Sequence, residues 1–112
     1  MKIVDATQAG EINRIHNVRT GVIYDTEHAM AVHITLQPGE KLRPHITPVD
    51  VFFYVLCGTA TVEIGEEKRA VAADHLVESP AKILHSLSND TDETVRVLVV
   101  KVPRPTTETK VL

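Results

Sequence analysis

Residues 38–58 read PGEKLRPHITPVDVFFYVLCG, and the order of residue types in this stretch decides the fold. Pro44 and Pro48 stand on either side of His45, and each biases the residue before it toward extended backbone. The next segment, residues 51–57, is apolar at every position, which predicts a β-strand that is covered on both faces. The stretch therefore predicts an extended segment that carries a histidine, followed by a buried strand.

The rest of the chain predicts further short strands and no long helix. β-Branched residues alternate with polar residues in several segments, and clusters of Gly, Pro, Asn and Asp separate these segments. The predicted strands cover residues 2–4, 18–24, 30–36, 51–57, 59–64, 83–87 and 95–102, with one or two more in 69–77. This pattern indicates an all-β, antiparallel sandwich or barrel, and it leaves the jelly roll, the immunoglobulin-like sandwich and other barrels open.

Length and composition predict one cytoplasmic domain. The 112 residues suffice for a single core, with residues 1–17 as an N-terminal arm and residues 103–112 as a tail that lies over the barrel or frays. The one cysteine, Cys57, has no partner for an internal disulfide and is expected to be a packed apolar side chain. The N-terminus lacks the apolar run of a signal peptide, and no stretch reaches the roughly 18 apolar residues that cross a membrane.

The charge distribution argues against nucleic acid as a partner. The formal net charge is −3, and the Lys and Arg residues are scattered along the chain. A protein that neutralises phosphates concentrates its basic residues in a patch or stripe, which this sequence lacks. Nucleic acid is therefore not an expected partner.

A second stretch resembles a motif when it is read together with the first. Residues 80–89 read PAKILHSLSN, in which His85 follows Pro80 by five positions. The two stretches resemble the two motifs of the cupin family, G-x5-H-x-H-x3-E-x6-G and G-x5-P-x-G-x2-H-x3-N. The resemblance implies a jelly-roll barrel, also called a double-stranded β-helix, over residues 1–112.

The match is close in spacing and incomplete in metal ligands. In the first motif Gly39, His45 and Gly58 match, whereas Thr47 takes the place of the second histidine and Val51 that of the glutamate. In the second motif Pro80, His85 and Asn89 match, whereas Asp74 and Lys82 replace the two glycines.

Cupin histidines hold a divalent metal at the centre of the barrel, so the resemblance implies His45 and His85 as metal ligands here. The metal would be iron, manganese, nickel, copper or zinc. Two imidazoles supply two bonds where tight sites use three or four, so the metal is expected to be weakly held or absent. His33 or Asp50 could add a further ligand, the latter only if a bulge shifts the register.

Side-chain alternation predicts which residues line the interior. Positions 45, 47, 51, 53 and 55 share parity, so in the register of the family Thr47, Val51 and Phe53 face the barrel and line a ligand pocket. The remaining histidines, His16, His28 and His75, are expected to be half-buried, hydrogen-bonded residues without a role in the site.

These observations favour a small cupin that binds a small polar molecule in its barrel, with a degenerate metal site. One alternative is a metal-dependent enzyme of the oxygenase or isomerase type. Another is a sensor or accessory subunit without chemistry of its own. Because the same alternation turns Phe52, Tyr54 and Leu56 outward, we also expect a homodimer that covers these side chains.

Overall fold

A computed structural model describes residues 1–112 as eleven strands without a helix. The strands are β1 Glu11–Ile12, β2 Arg19–Asp25, β3 Met30–Leu36, β4 His45–Ile46, β5 Val51–Cys57, β6 Thr59–Ile64, β7 Glu67–Ala72, β8 Leu76–Ser79, β9 His85–Ser88, β10 Val95–Lys101 and β11 Lys110–Val111. No helix is therefore present that could cross a membrane.

The strands form two antiparallel sheets that enclose one core. The large sheet has six strands in the order β1-β2-β3-β10-β5-β8, and the small sheet has five in the order β11-β4-β9-β6-β7. All pairings between strands are antiparallel. This architecture confirms the predicted all-β, antiparallel jelly-roll barrel.

The core follows the alternation of side chains along the strands. Val51, Phe53 and Val55 of β5 are 4%, 1% and 0% exposed, as the parity argument predicts. Valines from β10, aliphatic residues from β3, β6 and β9, and the loop residues Val18 and Leu42 complete a cluster of 13 buried apolar residues. Burial of this cluster is the main favourable contribution to folding, because the chain has no disulfide.

Two local predictions are wrong. Residues 2–4 form no strand, and Ile3 is 83% exposed because nothing packs against it. Cys57 is exposed rather than packed, since it is the last residue of β5 before the chain turns.

The tail extends back over the barrel and adds to the small sheet. Its strand β11 pairs with β4, with Lys110 opposite Ile46 and Val111 opposite His45. The Leu112 amide also donates to the carbonyl of Pro44 at 3.0 Å. The tail therefore lies over the barrel, which was one of its two expected positions.

Left-handed backbone persists at the two positions where the family motif has glycine and this chain does not. Asp74 and Lys82 both have φ of +66°. Both lie in turns that the barrel requires, since the Asp74 amide donates to Val55 and the Lys82 amide donates to Thr47. A Cβ makes this conformation unfavourable, although aspartate tolerates it better than lysine does.

The outer face of the large sheet carries an apolar patch. Leu56 and Leu76 are 36% and 51% exposed, and four further side chains are half-buried. We call this set the outer patch: Phe52, Tyr54, Leu56, Leu76, Leu98 and Val100. The expectation that both faces of β5 are covered therefore does not hold within one chain.

Lys82→Gly is expected to raise the free energy of unfolding by about 0.5 to 1 kcal/mol, because glycine adopts the left-handed conformation without a Cβ clash. The matched control is Lys68→Gly at the second position of β7, which should lower stability by a similar amount. Urea denaturation of both variants measures the two values. Destabilisation by Lys82→Gly would show that its side chain outweighs the strain.

We propose that two copies associate through the outer patch, since monomers rarely leave a contiguous apolar area of this kind in water. Sedimentation equilibrium at micromolar concentration should give the mass of a dimer. The double variant Phe52→Glu, Tyr54→Glu should give a monomer, whereas Ile83→Glu, which alters an exposed residue outside the patch, should remain dimeric. A wild-type monomer contradicts the proposal.

Candidate ligand-binding site

The two motif histidines are brought together by strand pairing. β4 pairs with β9 so that His45 lies directly opposite His85. Their ring centroids are 4.4 Å apart and the rings meet edge to face. The structure therefore places these two side chains side by side at the interior of the barrel, although they lie 40 positions apart in the sequence.

His85 is the deeper member of the pair. It is 3% exposed, its Nδ1 lies 2.7 Å from Ser79 Oγ, and its Nε2 lies 3.4 Å from Thr47 Oγ1. The ring of Phe53 packs edge to face against it at 5.2 Å. Burial lowers the pKa of His85 to about 4, with smaller contributions from His45 and Lys101. His85 is therefore a neutral imidazole whose nitrogens both have partners within the protein.

His45 presents an unpaired nitrogen. Its Nδ1 lies 2.8 Å from the carbonyl oxygen of Arg43, which can only accept, so Nδ1 carries the proton and Nε2 carries a lone pair. No fully buried side-chain nitrogen or oxygen lacks a partner in this chain, so the unpaired Nε2 is open to solvent. Burial lowers the pKa of His45, which the bond to Arg43 partly offsets. His45 is thus a hydrogen-bond acceptor.

A third histidine, His16, completes the group. It lies in the loop between β1 and β2, with its ring centroid 5.5 Å from that of His45. Its Nδ1 accepts the backbone N–H of Arg43 at 2.9 Å, so Nε2 carries the proton and can donate. Burial is the largest cause that lowers its pKa. The sequence prediction that His16 has no role in the site missed this placement.

His16 and His45 border a cavity of about 320 Å³ between the inner face of the large sheet and the β4–β11 edge of the small sheet, whereas His85 lies outside its lining. That volume is at the small end of the roughly 300 to 1,000 Å³ typical of ligand sites. Its walls are mainly aliphatic side chains together with Phe53. The polar residues on its lining are Asn13, His16, Thr20, His45, Lys101 and Thr109. Of the predicted pocket residues, Phe53 borders this cavity, while Thr47 and Val51 are buried outside its lining.

The most unusual of these side chains is Lys101. It follows Val95, Val97 and Val99 on the inward-facing side of β10. Its Nζ lies 3.5 Å from Thr109 Oγ1, and it takes part in none of the ion pairs of the chain. Burial lowers its pKa, and no acidic group acts in the opposite direction.

A larger groove of about 860 Å³ lies along β7 and β8. Nearly all residues of β7 are exposed, and the charged side chains of the groove, such as Glu67, Arg69 and Glu78, lie on these exposed strands. It contains none of the buried histidines. We therefore assign the candidate site to the smaller cavity, where buried polar groups converge.

The donors near His45 and His85 do not fit a tight metal centre. No group of three or more His, Cys, Asp or Glu side chains in the chain could hold a metal ion. Val51, at the position of the family glutamate, is part of the apolar core. The assignment of His45 and His85 as metal ligands therefore remains a prediction.

The two suggested extra ligands lie elsewhere. His33 is 2% exposed on the outward-facing side of β3, where its Nε2 accepts from Arg96 Nε at 3.0 Å. Burial is the largest cause that lowers the pKa of His33, and the positive charges of Arg96 and Arg19 lower it further. Asp50 is exposed, and its Oδ1 accepts the Ala81 amide at 2.8 Å. Neither side chain joins the His45–His85 pair.

The comparison with known families gives one match. A family model described as a cupin domain matches residues 32–101. This range includes both motif histidines and Lys101. No curated protein matches the chain.

Solved structures share the fold over nearly the whole chain. TT1209 from Thermus thermophilus is 26% identical, with a TM-score of 0.81 over 94% of this chain and 100% of that one. A protein with a double-stranded β-helix domain from Klebsiella pneumoniae is 16% identical, with a TM-score of 0.85 over 99% and 96%. The polyketide cyclase RemF from Streptomyces resistomycificus is 20% identical, with a TM-score of 0.83 over 100% and 85%. The last two likenesses show the fold alone.

The depressed pKa of His85 predicts an acid-sensitive fold. Between pH 6.5 and about 4 the unfolded chain binds a proton at this residue and the folded chain does not, so stability falls as pH decreases through this window. The loss from this one group is up to about 3 kcal/mol. Urea denaturation at several pH values gives the free energy of unfolding as a function of pH. The slope of this dependence between pH 6.5 and about 4 should be shallower for His85→Gln than for wild type. His75→Gln, which alters an exposed histidine, should keep the wild-type slope, and equal slopes in all three proteins would contradict the assignment.

Proposed function

The chain belongs to the cupin family, and we propose that it binds a small polar molecule in its barrel cavity directly through protein groups rather than through a metal ion. The proposal rests on the fact that His45, whose Nε2 has no hydrogen-bond partner, borders a cavity of about 320 Å³. A neutral imidazole with one nitrogen fixed by the backbone is an oriented acceptor for a ligand hydroxyl.

The surroundings of His45 hold it in this orientation. The Arg43 carbonyl fixes Nδ1, and the edge of the buried His85 ring packs against the His45 ring. His85 is in turn held by Ser79 and Thr47. A ligand group that reaches Nε2 therefore meets an acceptor that does not need to reorganise, which favours binding.

His16 adds a complementary donor. Because its Nδ1 accepts from the Arg43 amide, its Nε2–H is free to donate. Both rings border the cavity, and the backbone of one residue, Arg43, sets the proton positions of both. A ligand with a hydroxyl can accept from His16 and donate to His45.

The metal-dependent alternative has weaker support in the residues. It needs at least one more ligand beside His45 and His85, and Thr47 Oγ1 is engaged with His85 at 3.4 Å. No residue pattern supports a specific reaction, so we propose binding and not catalysis.

The test is a fragment screen by ligand-observed NMR on protein treated with EDTA, with elemental analysis of the same samples. Hits are expected to perturb the imidazole resonances of His45 and to bind His45→Ala at least about tenfold more weakly, the effect of losing one or more hydrogen bonds in a buried site. His75→Ala, outside the barrel, should bind like wild type.

Two results would contradict the proposal. Hits that bind wild type and His45→Ala equally would place the site elsewhere. Hits that bind only after a divalent metal is restored would favour the metal-dependent alternative.

A further inference from the structure

Lys101 is a cation without a counter-ion inside the barrel. In the register of the large sheet it lies opposite Met30 of β3 and Val51 of β5. Neither neighbour is acidic, and the lining of the cavity contains no aspartate or glutamate. Its single hydrogen-bond partner, Thr109, is neutral and lies at 3.5 Å.

This placement is unfavourable. Lys101 is half-buried, and an ammonium group that is partly withdrawn from water without a compensating anion is destabilising. Other cations would not relieve this cost, and the nearby imidazoles of His45 and His85 are neutral. The missing partner is an anion.

We propose that the ligand of the barrel is a small carboxylic acid, whose carboxylate pairs with Lys101 and whose hydroxyl group donates to His45 Nε2. This inference rests on the proposed function, because it specifies the chemistry of the molecule that occupies the same cavity. The aliphatic walls require that the rest of the acid be compact and apolar.

A carboxylate fits better than a phosphate. One ammonium balances one negative charge, whereas a phosphate monoester carries about −1.5 to −2 near neutral pH and would leave charge unpaired in a partly dry cavity. The lining of the cavity contains no arginine that could neutralise the remaining negative charge. Carboxylates and phosphates both present an anionic oxygen to Lys101, and the experiment distinguishes between the two.

The tail completes the acid site. Thr109, which contacts Lys101, and Val111, which faces His45 across the β4–β11 pair, both border the cavity. The segment that carries them is joined to the barrel through the short strand β11 and the contacts of Leu112 with Arg43 and Pro44. The carboxylate therefore meets Lys101 beneath the tail, where water is partly excluded and the ion pair is stronger.

The experiment measures the affinity of two acids, their amides and one phosphate by isothermal titration calorimetry. The acids are 3-hydroxybenzoate and 4-hydroxybenzoate, each compared with its own amide, which has the same shape without the charge. Phenyl phosphate tests the alternative source of anionic oxygen. The proteins are wild type, Lys101→Met, which keeps the apolar stem, and Lys68→Met, which removes a lysine whose side chain is 61% exposed on β7.

At least one hydroxybenzoate is expected to bind wild type and Lys68→Met at least about tenfold more tightly than its amide and than phenyl phosphate. Lys101→Met should lose at least about tenfold in affinity for the acid and nothing for the amide, because removal of one member of a buried charge pair weakens binding by this much or more. Lys101→Gln, which keeps a polar group for Thr109, should repeat the result and serves if Lys101→Met does not fold.

Three outcomes overturn the inference in distinguishable ways. Equal affinity of wild type for acid and amide, or undiminished acid binding by Lys101→Met, removes the role of Lys101 and leaves the proposed function intact. Tighter binding of phenyl phosphate than of either hydroxybenzoate would show that the ligand carries a phosphate rather than a carboxylate. Absence of binding by every probe, together with failure of the fragment screen to perturb His45, removes the proposed function and the acid site with it.

Discussion

The alternation of side chains along β10 is the constraint on which the site depends. β10 is a central strand, paired with β3 on one side and β5 on the other, so its register is fixed along both edges. Val95, Val97 and Val99 occupy the core, and Lys101 continues their parity. If the pairing register of β10 shifted by one residue, the ammonium group would face solvent, but all three valines would also leave the core. The apolar core thus forces the cation into the cavity, and the fold tolerates the cost.

The histidines around this cation are held neutral. Burial lowers the pKa of His16, His45 and His85, and the positive charge of Lys101 acts in the same direction on the last two. Neutral imidazoles offer oriented donors and acceptors without adding charge that the cavity would have to compensate. The same neutrality would suit a metal, but Val51 in the core holds the position of the family glutamate, and no group of three or more His, Cys, Asp or Glu side chains could hold the ion. For this reason we propose an organic ligand rather than a metal.

Local sequence rules predicted most of the strands, because prolines, glycines and apolar alternation act over short distances. The proximity of His45 and His85 was implied only by the resemblance to the cupin motifs, since 40 positions separate the two residues. The outward face of His33 follows from its own strand, because Met30, Val32, Ile34 and Leu36 share the opposite parity. A comparison with the parity of β5 does not decide it, since an irregular loop separates the two strands. Lys101 could have been identified by extending the valine parity by one step, but a lysine at a strand end is ordinarily exposed. His16 lies in an irregular loop, and its position beside His45 becomes evident only from the bond to the Arg43 backbone.

The central claim is that the wall of the cavity carries a half-buried ammonium group without a counter-ion, ready to pair with an acid. The most direct measurement is the pKa of Lys101 Nζ by NMR, with His16 and His45 followed as the other titratable groups that border the cavity. In the free protein the pKa of Lys101 should lie below the ordinary value for lysine, and a bound hydroxybenzoate should raise it, because the carboxylate favours the charged form. A Lys101 that titrates at the ordinary value and is unchanged by the acid would contradict the account.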